Sequence, residues 1–388
     1  MRPGKHKHPL HRPWSRRRQG VAFVMVLLVI LVLATLAGGF ASNMRIEAAL
    51  ARNTSNERRL EWLCRSGVEM ARYLVGQQAA IPQQPFTALN QKWATNSGST
   101  NTILANLNTA DVGLAEGTAL GLLQNGDEEW LQFLNQSKVK IEIVDLERKL
   151  NINWVAQGHY GGRGGFYPFE RAMRDDMLAV PNTAWSVITD SIADWVDPNT
   201  DARLNGAEGT FYRSFGYDSK NTLIDDLSEL LLIRGIRDER EWLVTGRIPE
   251  ELPQVERPRF FLTDLFTPIS AGRVNINTAP REVLVLIDAA FEDSADAIIR
   301  ARNGPDGIPG TDDDRPFQQV AELGDPLIGF SPQGVGLLQR FLSVQSVTFE
   351  VTVTATVNNQ VKSLVAVIRR LSDRDVKVLY SFWKETGE

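Results

Sequence analysis

Cysteine is almost missing from this chain. Cys64 is the single one among 388 residues, which excludes an internal disulfide and leaves stability to packing or to a metal. Histidine is nearly as scarce. Of four, His6, His8 and His11 crowd the N-terminus, and only His159 lies beyond. A zinc site or a Ser-His-Asp triad needs partners the chain does not supply, and neither G-x-S-x-G nor H-E-x-x-H occurs. Carboxylate pairs are plentiful but none is singled out, so a membrane-tethered hydrolase stays open without a named pair. The glycine cluster Gly161-Gly162-Arg163-Gly164-Gly165 follows no strand and fits no phosphate fingerprint; it reads as a flexible loop.

Acidic residues are absent from residues 1–20, which carry seven basic ones: Arg2, Lys5, Lys7, Arg12, Arg16, Arg17 and Arg18. The chain has 42 Lys and Arg against 47 Asp and Glu. Without those seven the balance is 35 against 47, or −12, a body that repels phosphate backbones. Charge is then missing from Val21 to Ala41, where Thr35 is the one clearly polar side chain. At about 1.5 Å per residue, this run spans roughly 30 Å, one hydrocarbon core. The arginines before it hold the N-terminus in the cytoplasm and place the bulk of the chain outside. A secretory signal, a plain signal anchor and a prepilin leader compete for this segment. Gly39-Phe40-Ala41 makes a poor signal cleavage site, and the run is long for a signal peptide. Arg16-Arg17-Arg18-Gln19-Gly20 followed by Val21-Ala22-Phe23-Val24 has the form of a leader cut on the cytoplasmic side.

On those residues the N-terminus resembles the type IV pilin and pseudopilin family. The resemblance implies cleavage between Gly20 and Val21 by a prepilin peptidase, with methylation of the new terminus. Most members carry a glutamate at the fifth mature position, where this chain has Met25. Lacking that costly intramembrane carboxylate is a trait of the K-type minor pseudopilins.

The helix is expected to continue past the membrane. Ser42–Val75 has no proline, and Leu60, Leu63, Gly67, Met70/Ala71 and Leu74 form one apolar stripe. Gln77–Glu129, rich in polar residues, reads as loops and short helices. Ser137–Leu146 reads as a strand with Val139, Ile141 and Ile143 on one face. In Ser346–Val357, Val347, Phe349, Val351, Val353, Ala355 and Val357 alternate with polar residues, a half-buried strand. Asn358-Asn359 turns the chain, Val361–Arg370 returns, and Val376, Val378, Tyr380 and Phe382 mark a third strand.

Between the strands lies an internal repeat. Lys149-Leu150-Asn151-Ile152-Asn153 recurs as Arg273-Val274-Asn275-Ile276-Asn277. Each copy is followed by a helical stretch (Val187–Val196; Ser294–Arg302), an Asp/Gly-rich loop and a closing segment (Asn221–Leu232; Pro316–Leu323). Arg273–Arg302 resembles a helix-hairpin-helix unit, but its hairpin Asp288-Ala289-Ala290-Phe291-Glu292-Asp293 has no glycine and three carboxylates, which argues against holding phosphate. Packing and partner contact are the expected roles.

Leader, long helix, split sheet and inserted helical repeats, in this order, resemble the type II secretion protein K family over nearly the whole chain. The resulting expectation is an α+β fold: a pilin-like long N-terminal helix packed on a small antiparallel sheet, with a large inserted all-α domain of two helix-hairpin-helix-like units. The divisions are 1–20 leader, 21–41 transmembrane and assembly helix, 42–76 the periplasmic half of that helix, 77–148 a variable region with the first strand, 149–342 the inserted domain (units about 149–235 and 273–330), and 343–388 the remaining strands. The resemblance implies a single-pass protein of the Gram-negative inner membrane, facing the periplasm. Its expected role is to cap the pseudopilus tip and to initiate or limit assembly, with no enzymatic activity. Its partners would be the I-type and J-type minor pseudopilins, the major pseudopilin, the prepilin peptidase, and secretin or exported proteins. The competing reading is a membrane-anchored DNA-uptake receptor built from helix-hairpin-helix units.

Two loops have the composition of metal sites. In Asp197–Glu208, oxygen side chains fall at Asp197, Asn199, Asp201, Asn205 and Glu208, positions 1, 3, 5, 9 and 12 of a wrapping loop. The Arg203 carbonyl would add a ligand; Ala202 stands where an EF-hand has Gly. A polar turn with an Asp cap fits the same residues. Calcium in the helical domain is also what the family resemblance implies, through a Gly-Ala-Glu similar to Gly206-Ala207-Glu208 near Tyr212. The second loop sets Asp306, Asp312, Asp313 and Asp314 within nine residues. Either a cation or plain solvation relieves their repulsion.

Overall fold

The computed structural model describes residues 17–94, 137–160, 167–174, 177–237, 239–250 and 257–384. The leader up to residue 16, the glycine cluster at 161–165 and most of the variable region lie outside the described residues. The chain divides into two units, Met1–Arg59 and Leu60–Glu388.

In the first unit the helix α1, which runs Arg17–Ala79, contains the apolar segment. It is long and apolar enough to cross a membrane by length and composition. The side chains of Val21–Ala41 are all exposed. Their one polar group is satisfied internally, since the Thr35 hydroxyl donates to the Val32 carbonyl at 2.8 Å. Such a stretch brings no unpaired polar group into lipid.

In the second unit, four strands make one antiparallel sheet: β1 (Ser137–Asp145), β6 (Thr348–Val357), β7 (Gln360–Arg370) and β8 (Val376–Lys384), ordered β1-β6-β7-β8. The period-two pattern holds. Phe349, Val351, Val353, Ala355 and Val357 are buried on one face with Ile141 and Ile143 of β1 and with Leu364, Ala366 and Ile368 of β7. Asn358 and Asn359 both take positive φ (49° and 65°), as a two-residue hairpin with the strands' own twist requires. The α1 residues from Leu60 onward cover this face. Gly67 permits the close approach, because a Cβ there would lie 2.5 Å from Val353 Cγ1. The buried stripe is Leu60, Leu63, Cys64, Gly67, Val68, Ala71 and Val75. Met70 and Leu74, read from the sequence as stripe members, are only partly buried. Cys64 and Val75 take the central line because the sheet meets the helix about one residue round from the assumed face.

Residues 146–347 are inserted between β1 and β6. Their longer helices are α2 (Ile152–Ala156), α3 (Tyr167–Arg174), α4 (Asn182–Val196), α5 (Arg281–Ile287), α6 (Phe291–Arg302) and α7 (Pro332–Leu338). The insert is not all-α. Two parallel pairs of two-residue strands cross it, β2 (Leu150–Asn151) with β3 (Phe266–Thr267) and β4 (Val274–Asn275) with β5 (Leu342–Ser343). They arise at the repeated Asn-Ile-Asn motifs, whose first residue must stay extended to cap the turn after it. Asn151 Oδ1 accepts the Asn153 and Trp154 amides, and Asn275 Oδ1 accepts the Asn277 amide.

The second asparagine of each motif is a clamp. Asn153 accepts from the Ile224 N–H at 2.8 Å and donates to its carbonyl at 2.9 Å. Asn277 does the same to Phe317, at 2.8 and 2.9 Å. Five residues beyond each clamped residue a glutamate, Glu229 or Glu322, accepts the amides opening a 3₁₀ turn. The closing segments expected as helical are these turns, Leu227–Leu232 and Val320–Gly324. The sequence repeat is therefore a repeated set of hydrogen bonds.

Insert and sheet meet on two buried carboxylates at the end of β1. Asp145 and Glu147 are each 1% exposed. Asp145 Oδ2 accepts from the Thr278 hydroxyl (2.5 Å) and the Ser346 hydroxyl (2.7 Å), and its Oδ1 from the Glu147 amide. Glu147 accepts the amides of Ala271, Val347 and Thr348 at 3.0, 3.2 and 2.9 Å. Burial raises the pKa of both. For Glu147 burial comes first, then the charge of Asp145, and together they outweigh the amide donors and push it up to about 7.

These bonds can be tested in two ways. Replacing Asn153 or Asn277 with Ala leaves a buried N–H and C=O unpaired, so each variant is expected to lose about 3 kcal/mol in urea unfolding of the detergent-solubilised chain; equal stability to wild type would show that the clamps carry nothing. The native state also holds the Glu147 proton more tightly than the unfolded chain. Stability from this group is thus complete below about 4.5 and is lost as pH rises through about 7. The stability difference between wild type and Glu147→Gln is expected to fall by roughly 3 kcal/mol between those limits. A pH-independent difference would rule this out.

Candidate functional site

The first loop leaves α4 at its C-terminus. Asp194 is fully buried on the last turn, and Asp197 follows the helix, partly buried. The chain then turns outward, so Asn199 and Asp201 are exposed, with the Asp201 amide on Asn199 Oδ1 at 2.7 Å. It returns through Arg203 and Asn205, which bonds Asp190. Gly206 passes so close to Asp194 that a Cβ there would meet its Oδ2 at 1.9 Å. Glu208, 3% exposed, ends the loop.

Arg203 lies between the acids. Its Nη1 donates to Asp194 Oδ1 and Asp197 Oδ2, each at 2.6 Å, and its amide to Asp194 Oδ2 at 3.0 Å. Burial still keeps the Asp194 pKa above the ordinary carboxylate range, outweighing these bonds. Burial raises Glu208 too, with the charges of Asp194 and Asp197 adding to it. Glu208 Oε2 accepts from the Ser219 hydroxyl at 2.5 Å, whereas Oε1 is buried with no partner. Among the described residues, no three His, Cys, Asp or Glu side chains converge as a metal site. A buried carboxylate oxygen without a donor, beside further oxygen ligands, nonetheless fits a hard cation such as calcium. Asp190 and Asp194 escaped the sequence reading because they sit on the helix before the loop. Their signal was the four-residue spacing that puts both on one face of α4.

The second loop is self-satisfied to a larger degree. Asp306 Oδ1 accepts the Ile308 amide, Asp313 accepts from Thr311 and the Asp306 amide, and Asp314 Oδ2 accepts the Gly310 amide. Asp312 is exposed. Asp314 Oδ1 is buried without a partner. The hairpin between α5 and α6 is closed by Asp288, which accepts the Ala290 amide at 2.9 Å, and it exposes Glu292 and Asp293. Nothing there favours a nucleic-acid phosphate. Gly20 and Val21 lie within α1.

Residues 149–240, which hold the first clamp and the first loop, match the family model for type II secretion system (T2SS), protein K. Over 227 residues, 57% of its length, the chain is 24% identical to type II secretion system protein K of Klebsiella pneumoniae, and the alignment spans 59% of that protein's length. The fold is similar to a chain in the crystal structure of the GspK-GspI-GspJ complex from enterotoxigenic Escherichia coli. The TM-score is 0.59 and the identity 18%, over 87% of this chain and 99% of that one. A long N-terminal helix with a small antiparallel sheet is common to the match and to the expectation drawn from sequence.

Proposed function

We propose that this chain is a minor pseudopilin of the type II secretion system. It would be anchored in the Gram-negative inner membrane by Val21–Ala41, with its N-terminus cytoplasmic and its bulk periplasmic, and would not act as an enzyme. The observation that carries this reading is a match to the protein K family model at 149–240 in a chain whose α1 carries an uncharged span directly after Gly20. On this reading, a prepilin peptidase cuts between Gly20 and Val21, and the freed helix leaves lipid to pack among those of other pseudopilins. The helix-hairpin-helix-like halves of the insert add bulk that blocks a further subunit, which places the chain at the pseudopilus tip. There it would initiate assembly or limit its length, next to I-type and J-type partners and above the major pseudopilin, within reach of secretin or exported proteins.

The first loop would hold calcium through Asp197, Asn199, Asp201 and Glu208, with Asp194 as an added oxygen ligand; Asp306, Asp312, Asp313 and Asp314 would serve a second ion. Calcium would supply neutralisation of buried carboxylates and rigidity, and takes no part in a reaction.

N-terminal sequencing of the protein from cells with and without a prepilin peptidase tests the core of the proposal. Val21 is the expected first residue with the enzyme, and an uncut N-terminus without it. Ser42 as the first residue, or an intact N-terminus in both strains, would overturn it.

A further inference from the structure

The Glu208 carboxylate is left with one buried, unpartnered oxygen while a basic side chain of the same loop occupies its acidic neighbours. We propose that Arg203 is an internal competitor of calcium, a tethered cation that neutralises Asp194 and Asp197 when the loop is metal-free and must withdraw for the ion to bind. The proposal rests on the calcium reading of the loop.

Four observations support it. Arg203 satisfies only part of the loop. Its single Nη1 bridges Asp194 and Asp197, and nothing donates to Glu208 Oε1, so the guanidinium neutralises the loop without completing it. A calcium ion asks for six to eight oxygens, and Asp194, Asp197 and Glu208 are the carboxylates whose charges act on one another here. Arg203 is also free to leave. Its side chain is 37% exposed, against none for Asp194, and it stands on the loop rather than on α4. Neighbouring charges are engaged elsewhere, Arg213 with Asp218 among them. Asp190 faces Asn205, and Arg234 donates to the Gly206 carbonyl rather than to a carboxylate. Finally, the wall cannot yield, because Gly206 is in contact with Asp194 and any larger residue there would displace the carboxylate.

The test is calcium titration by calorimetry on the full-length chain in detergent, for wild type, Arg203→Gln and Arg203→Lys, paired with thermal unfolding in EDTA and in millimolar calcium. Arg203→Gln is expected to bind calcium at least tenfold more tightly than wild type, with Arg203→Lys between them. In EDTA Arg203→Gln is expected to melt lower than wild type, because Asp194 and Asp197 lose their counter-charge, and calcium should close that difference. An arginine with a purely structural role would leave the difference unchanged. Equal or weaker binding by Arg203→Gln, with wild type still binding, overturns the competition and leaves the calcium reading intact. If Arg203→Gln does not fold, the Arg203→Lys affinity decides, with no gain over wild type counting against the proposal. No calcium heat from any of the three overturns both readings.

Discussion

The fold depends on keeping two carboxylates out of water. Asp145 ends the first strand of the sheet and Glu147 lies in the turn after it, and the chain then leaves for about two hundred residues before the next strand of that sheet, β6, begins. Burying such groups is costly unless every oxygen finds donors. Here the donors come from two places far apart in sequence: Ala271 and Thr278 inside the insert, and Ser346, Val347 and Thr348 at the return to the sheet. The two acids can be buried only when insert and sheet are both in place. The insert is thus tied to the sheet by more than its two connecting peptides. The Arg370 guanidinium reinforces the joint, bonding the Ser346 carbonyl and the Thr87 hydroxyl. Thr87 belongs to the segment after α1, so helix end, sheet end and insert converge on the same cluster.

Within the insert, the asparagine clamps solve a different problem. Short helices and loops bury many backbone groups that no ladder can pair. A side-chain amide holds N–H donors and an acceptor oxygen side by side in one plane, so it can take the place of an adjacent strand. Asn153 and Asn277 do this for Ile224 and Phe317, over separations of 71 and 40 residues. The next glutamates, Glu229 and Glu322, then close the adjoining turn. Different loop lengths between motif and clamped residue are tolerated because only the endpoints are fixed. This is why the two halves share an order of elements and a hydrogen-bond pattern while their intervening loops differ.

Much of this was legible in the sequence, and the reasons are local. The strands of the sheet, their buried face and the Asn358-Asn359 turn are dictated by period-two patterning and by the tolerance of asparagine for positive φ. The repeated Asn-Ile-Asn was visible as a motif, but its function was not, since the residues it clamps carry no signature of their own. The α1 stripe was read about one residue off because periodicity alone does not say where a sheet will meet a helix. In the first acidic loop, the spacing exposed Asp197, Asn199, Asp201 and Glu208, yet the acid beside Arg203 is Asp194, fixed by the last turn of α4. Spacing within a loop is blind to a side chain offered by the element before it. Arg203 itself was read for its carbonyl, whereas its side chain is the group at the centre of the acids.

The exposed apolar segment sets the last constraint. From Val21 to Phe40, fourteen large hydrophobic side chains are at least 47% exposed. At about 1.5–3 kcal/mol each, leaving them in water would cost tens of kcal/mol, several times the stability of an ordinary domain. Some apolar phase must therefore surround this helix on every side, since no face is polar. Lipid and a bundle of similar helices meet that need nearly equally, because hydrocarbon tails are as apolar as leucine. The exchange between them is consequently close to balanced in hydrophobic terms, and packing detail decides its direction. Thr35 already bonds its own helix, so it imposes no penalty in either place. Met25, standing where a carboxylate would demand a partner for its charge, likewise costs nothing while the helix is alone. A helix with no such demand needs no counter-charge in either surrounding.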